Sequence, residues 1–230
     1  VGMNSALVTG ASSGIGAATA LRLAADGWQV VLTGRDRTRL DALVERTGGE
    51  TVTADLTTDD GLRQVADAAS GVDLLVHSAG IGWAGAFADM PPERIDELVE
   101  LNLTAPMRLT RAVLPPRVAF VASVAVVGVR DEDVYSATKA GLRAFAASLR
   151  YRGITTTTVF PGAVRTSFFH GRDYRRRFPR MVEPQRVADA LVDAVVRGRA
   201  EVFVPGWLTA ADRIHGALPG VFHHLARRFG

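Results

Sequence analysis

Tyr135 and Lys139 stand four residues apart in Tyr135-Ser136-Ala137-Thr138-Lys139. On a helix that spacing puts both side chains on one face, within reach of a common ligand. The acids Asp131-Glu132-Asp133 just before them suit the positive end of a helix dipole. Small residues follow, Ala137, Ala140, Gly141, Ala144, Ala146 and Ala147, which let such a helix pack closely. A tyrosine acts as a general acid only if its pKa falls from about 10 toward working pH. An ammonium roughly 6 Å away, at an effective dielectric of about 20, favours the phenolate by about 3 kcal/mol. An ordinary amphipathic helix with an exposed lysine would read the same over these five residues. The composition tilts the balance: Lys139 is the one lysine among 27 Lys and Arg residues. Where arginine fills every other basic position, a lone lysine suggests a site that needs a compact ammonium.

The elements that must position this pair come next. At 230 residues, 47% hydrophobic and 22% charged, the chain is expected to form one globular domain, residues 1–230, with a sizeable core. No long apolar run suggests a membrane span, and Val1 to Gly10 lacks the pattern of a signal peptide. With no cysteine there is neither a disulfide framework nor thiol catalysis, so cytoplasmic residence is the default expectation. A net charge of +3 gives little support for a nucleic-acid partner. The five histidines show no metal-ligand spacing, so no metal site is expected.

Asn4 to Thr9 reads as a short apolar strand, followed by Gly10-Ala11-Ser12-Ser13-Gly14-Ile15-Gly16 and a helix from about Ala17 to Ala25. Strand, glycine loop and helix N-terminus together make an anion cradle. The glycines let backbone approach a pyrophosphate, and free N–H groups face it. Further strands are expected at Trp28–Thr33, Glu50–Ala54, Val72–His77, Val118–Ala122, Thr155–Phe160 and Glu201–Val204. Helices should fall at about Pro92–Leu114, from Tyr135 onward and at Val187–Val196. In the first of these Pro106 has no N–H for the Asn102 carbonyl, so a kink is expected there. This alternation predicts an α/β fold, a doubly wound parallel sheet with helices on both faces.

Gly34-Arg35-Asp36-Arg37 ends the second strand, where an acid suits a ribose 2′-hydroxyl and an arginine suits a 2′-phosphate. A slip of one or two residues exchanges these readings, because Asp36 follows Arg35. Asp55-Leu56 ends the third strand and Ser78-Ala79-Gly80 follows the fourth. Ser123 ends the fifth strand, twelve residues before Tyr135, and Pro161-Gly162-Ala163-Val164-Arg165-Thr166 closes the sixth.

Thr9-Gly-x3-Gly-x-Gly together with Tyr135-x3-Lys139 resembles the short-chain dehydrogenase/reductase family over about residues 4 to 205. The resemblance implies a Rossmann-type domain, mostly a seven-stranded parallel sheet, and hydride transfer between a nicotinamide and a carbonyl or secondary alcohol. It implies Tyr135 as general acid/base, Ser123 orienting the substrate oxygen, and Lys139 holding ribose hydroxyls. Asn102 resembles the link in a water-mediated proton relay. Gly10, Ser12, Ser13, Gly14, Ile15 and Gly16 would cradle the pyrophosphate, and Asp55-Leu56 resembles the adenine-contacting pair. Ala79 and Gly80 would lie beside the cofactor, with Tyr135 and Lys139 at its ribose. Pro161, Gly162, Val164 and Thr166 would contact the nicotinamide end. In the family register Arg35 clamps a 2′-phosphate, so NADP(H) is favoured, with NAD(H) the alternative. His77-Ser78 departs from the family's Asn-Asn, and His77 is read as a structural strand residue.

The segment 167–183 corresponds to a variable substrate lid. Its arginines Arg172, Arg175, Arg176, Arg177 and Arg180 suit a solvated face or an acidic or phosphorylated ligand. The tail 207–230 reads as helical, with Val221, Phe222, Leu225 and Phe229 on one face opposite Arg227 and Arg228. Packing on the core or a second subunit is expected of it more than membrane-surface contact. The family likeness implies a small-molecule carbonyl or alcohol substrate and a homodimer or homotetramer. Other functions on this fold stay open: a non-catalytic dinucleotide-binding sensor or structural subunit, and an NAD(P)-using lyase or epimerase.

Overall fold

The computed structural model describes residues 4–166, 168, 180–220, 222 and 224. The strands are β1 (Ser5–Thr9), β2 (Gln29–Gly34), β3 (Glu50–Thr53), β4 (Leu74–His77), β5 (Arg117–Val121), β6 (Thr155–Pro161) and β7 (Glu201–Val204). They form one parallel sheet in the order β3-β2-β1-β4-β5-β6-β7. The helices are α1 (Gly14–Ala25), α2 (Arg37–Thr47), α3 (Asp59–Ala68), α4 (Pro92–Val99), α5 (Ala105–Val113), α6 (Asp133–Arg150), α7 (Pro184–Val196) and α8 (Leu208–Ala217). This is the expected doubly wound, Rossmann-type architecture. Strand positions agree with the sequence reading to within two residues, whereas α2 is an element that reading did not name.

Successive residues of a strand face opposite sides, and both sides here are apolar, as a doubly covered parallel sheet requires. Ala6 and Val8 of β1 enter a core with Leu23, Leu40 and Leu191 from α1, α2 and α7. Leu7, between them, enters the opposite core with Leu62, Val65 and Leu109 from α3 and α5. Phe120 of β5 packs with Leu142 and Ala146 of α6. Truncating a fully buried phenylalanine such as Phe120 would cost about 3–5 kcal/mol through lost transfer energy and the cavity left.

Two arginines tie helices to distant parts of the chain. Arg22 of α1 bonds Asp189 and Asp193 of α7 at 3.0 and 2.8 Å. Arg143, midway along α6, takes both carboxylate oxygens of Glu201 at 2.9 and 2.8 Å and reaches Asp212 of α8 at 2.7 Å. Its guanidinium lies 4.9 Å from the Phe160 ring centre.

Near Asn102, where a kink is expected, the helix changes winding. Glu100–Thr104 forms a π-helical turn between α4 and α5. Pro106 offers the Asn102 carbonyl no donor for an α-helical bond, and a locally wider turn accommodates that loss. Among the described residues no helix is long and apolar enough to cross a membrane. Arg172, Arg175, Arg176 and Arg177 of the proposed lid, and Val221, Leu225, Arg227, Arg228 and Phe229 of the tail, lie outside the described residues.

Candidate active site

The strand order reverses between β1 and β4, and ligands of such sheets bind beyond the strand C-termini at that switch. A cleft of about 570 Å³ lies there. Its floor is the loop from β1 into α1. Gly10 has φ +66°, and a Cβ on it would stand 2.8 Å from the Ala79 backbone. Gly14, at φ +57°, has the Thr166 side chain overhead, 3.1 Å from where its Cβ would be. Gly16 is excluded from larger residues by packing: its Cβ would meet the Gly10 carbonyl oxygen at 2.3 Å. The result is bare backbone at the start of a twelve-residue helix, which fits a pyrophosphate.

Thr9 holds this loop against the next strand, a role the sequence did not disclose. Its fully buried hydroxyl accepts N–H bonds from Ser78 and Ala79 at 3.0 and 3.1 Å. The loop after β4 is held from its other side by Asn102. That side chain accepts from the Ile81 N–H at 2.9 Å and donates to the Ile81 carbonyl at 2.8 Å. The π-helical turn therefore positions the cleft wall through an amide that mimics a strand neighbour. His77 lies beneath, Nε2 2.8 Å from Thr110 Oγ1 and its ring stacked on Phe120 at 5.1 Å. Burial alone pushes its pKa down to about 3, so it is neutral in the fold.

At the β2 and β3 end, Arg35 and Asp55 line the cleft. Asp36 does not line it. It caps α2, accepting the Arg39 N–H at 3.0 Å, and pairs with the Arg39 side chain at 3.1 Å. Asp55 is held below the usual carboxylate range by the Thr57 N–H, the Thr57 hydroxyl and the charge of Arg35. The N-cap of α3 is Thr58, which frees Asp55 from that duty. A Cβ on Gly34 would stand 3.1 Å from Ser12 Oγ, leaving little room for an acidic side chain at this strand end.

At the β5 and β6 end, α6 presents Tyr135 and Lys139 to the same cleft. The Lys139 ammonium lies 5.6 Å from the Tyr135 ring centre and donates to the Val121 carbonyl at 3.0 Å. It is buried, and desolvation brings its pKa down to about 8. Ser123 begins a short helical turn, its Oγ accepting the Ala125 N–H at 3.1 Å. That bond fixes the oxygen and leaves the hydroxyl proton to donate. Pro161, Gly162, Val164 and Thr166 form the wall above the glycine loop. Val164 is anchored by a bridge to Val182, with Arg165 donating to the Val182 carbonyl at 2.9 Å.

Of the residues singled out in the sequence, Gly10, Ser12, Ser13, Gly14, Ile15, Arg35, Asp55, Leu56, Ala79 and Gly80 line the cleft with the β5 and β6 group just described. Gly16 and Asn102 lie behind it as supports. Sequence reasoning missed Ile81, Val129 and Phe168, which line the end nearest Tyr135, and Arg94, which also lines the cleft. Ile81 follows directly on a recognised motif and could have been inferred by contiguity. Arg94 carries no signal that separates it from a solvent-facing arginine.

Residues 4–176 match the family model described as short chain dehydrogenase. The chain is 33% identical over 210 residues to an uncharacterised oxidoreductase of Staphylococcus epidermidis, covering 84% of this chain and 90% of that protein. It is 33% identical over 180 residues to a serine 3-dehydrogenase of Rhizobium radiobacter, covering 70% and 72%. A short-chain dehydrogenase from Sphingobium yanoikuyae, solved with NADPH, superposes with a TM-score of 0.84 at 30% identity, covering 96% of both chains. The glycine cradle, the parallel sheet and these likenesses agree, and the chain belongs to the short-chain dehydrogenase/reductase family of oxidoreductases that use a nicotinamide dinucleotide.

Proposed function

We propose that this protein transfers hydride between NADP(H) and a carbonyl or secondary alcohol, with Tyr135 as general acid/base. The observation that carries the reading is the meeting of Tyr135, Lys139 and Ser123 in the cleft whose floor is the glycine cradle. When bound, the nicotinamide supplies or takes up the hydride. Ser123 donates its hydroxyl proton to the substrate oxygen and orients that oxygen beside the phenol. Tyr135 hands its proton to the oxygen in reduction, or takes one from an alcohol in oxidation. Lys139, beneath the tyrosine ring, stabilises negative charge developing on the phenol oxygen and supplies N–H donors to the cofactor ribose. Asn102 keeps the Ile81 wall in place and stands next to the lysine in a proton relay.

NADP preference is supported by two neighbours at the end of β2. Arg35 is exposed in the cleft with its guanidinium available to a 2′-phosphate. Asp36, the competing carboxylate, is committed to capping α2. Assembly as a homodimer or homotetramer rests on the family likeness. Val99 at the end of α4 and Tyr151 after α6 are exposed apolar groups that such an interface would cover.

One steady-state experiment tests both parts, with purified wild type, Tyr135→Phe and Arg35→Ala assayed on a ketone panel. Tyr135→Phe should lose about a thousandfold or more in kcat while fluorescence titration still detects NADPH binding. Arg35→Ala should weaken NADPH by about tenfold or more and NADH hardly at all. Near-normal turnover by the first variant overturns the acid/base role, and equal losses for the two cofactors overturn the NADP assignment.

A further inference from the structure

We infer that Asp212 of α8 is a positioning residue for Ser123, acting through Arg143 and the packing of α8. This rests on the oxidoreductase reading above, in which Ser123 meets the substrate oxygen. The serine stands where the sheet stops. Its predecessor Ala122 still donates to the Val159 carbonyl of β6 at 2.9 Å. Beyond it the chain makes a single tight turn, Val124–Val127, closed by a 3.3 Å bond from the Val126 N–H to the Ser123 carbonyl. A 3₁₀ turn of this length holds itself poorly, so side-chain packing must fix it. Ala125 packs into the Tyr135 cluster. Val124 and Val126 pack instead into a cluster of Ala122, Phe160, Phe203 and Leu208, and Leu208 comes from α8, which packs on the turn. Both chain neighbours of Ser123 thus belong to a cluster that α8 closes.

Apolar contact alone gives α8 a weak hold. Leu208 is buried, whereas Ile214 is 50% exposed and Leu218, just past the helix end, 57%. The stronger tie is Asp212, four residues after Leu208 and so on the same face. Its two carboxylate oxygens take the Arg143 guanidinium at 2.7 and 2.9 Å, and the acid side chain is only 15% exposed. Paired bonds of this kind, partly shielded from water, are stronger and more directional than a surface ion pair. The guanidinium lies against Phe160, so the ion pair sits beside the same cluster that holds the turn. Glu201 takes the guanidinium as well. Removing the Asp212 carboxylate therefore leaves Arg143 paired and α6 tied to β7, and loosens α8 alone.

The test is a cycle of substitutions assayed in NADPH-dependent reduction of a ketone panel. Asp212→Ala should lower kcat/KM by about tenfold, while the dissociation constant for NADPH, read by fluorescence, stays within about twofold. Asp212→Glu, which keeps the charge, should lose less. In a Ser123→Ala background the same Asp212→Ala change should cost less than about twofold, because the serine through which it acts is gone. General loosening of the fold would cost the same factor in both backgrounds, and that result overturns the positioning role. Hydrogen exchange gives a reading that needs no turnover. In Asp212→Ala the amides of residues 124–128 should exchange about tenfold faster than in wild type, and those of the glycine loop at the wild-type rate. Unchanged exchange in the turn overturns the proposal whatever the turnover. If wild type reduces no ketone but the turn loosens in Asp212→Ala, the oxidoreductase reading fails and the hold of Asp212 on the turn stands.

Discussion

An ammonium with one carbonyl for company is an expensive thing to keep inside a fold, and Lys139 is kept there at 5% exposure. Its pKa of about 8, against an ordinary 10.5, fixes the sign of the effect. Between pH 8 and 10.5 the unfolded chain holds a proton that the cofactor-free fold has released, so stability should rise with pH across that window. Below pH 8 the fold carries the whole cost, roughly 3 kcal/mol at about 1.4 kcal/mol per tenfold in proton affinity. Lys139→Met should therefore melt several degrees higher than wild type at pH 7, without cofactor, and lose turnover. The gain should fade toward pH 10.5. A variant that melts lower than wild type at pH 7 contradicts this account. The lone lysine was conspicuous in the sequence because arginine had replaced it everywhere else. That it pays for its place in stability could be learned only from its burial.

At the scale of elements, the cleft depends on two cross-links between segments that never pair as strands. Thr9 at the end of β1 and Asn102 in the π-helical turn each capture backbone of the loop after β4. Thr9→Val keeps the shape and removes the acceptor, leaving the half-buried Ser78 and Ala79 N–H groups without it. A loss of about 1–3 kcal/mol in unfolding free energy is expected, with weaker NADPH binding, measured by denaturant titration and fluorescence. A change below about 0.5 kcal/mol would mean that water replaces the hydroxyl. These links also explain what was legible beforehand. The glycine loop was readable because chain reversal and close approach at Gly10 and Gly16 admit hardly any other residue. Pro106 announced a lost hydrogen bond at Asn102, but not that the chain would meet it with a wider turn. Asp36 was weighed as a ribose ligand because it ends a strand; its N-capping of α2 was hidden, and so was α2.

For the molecule as a whole, acid tolerance should be governed in large part by a residue far from any charge chemistry. His77 is fully packed between Thr110 and Phe120 and stays neutral down to about pH 3, while the unfolded chain takes up its proton near 6.5. A depressed basic pKa means that stability falls as pH drops through this window. Wild type should lose about 2 kcal/mol to this group between pH 7 and pH 5. His77→Asn has nothing to titrate there, so the difference in unfolding free energy between the two proteins should shift by that amount. Denaturant midpoints at the two pH values measure it, and parallel curves would remove His77 from the explanation.

Arg143 sits in the middle of the helix that bears Tyr135, and its acidic partners are Glu201 and Asp212. Those partners leave the ribosome after the helix that they hold. The glycine loop between β1 and α1 can therefore take shape while synthesis continues, but the helix that bears Tyr135 cannot be fully latched until residue 212 has emerged. A nascent chain not yet extended to residues 201 and 212 would present the glycine loop with the Tyr135 helix still untethered.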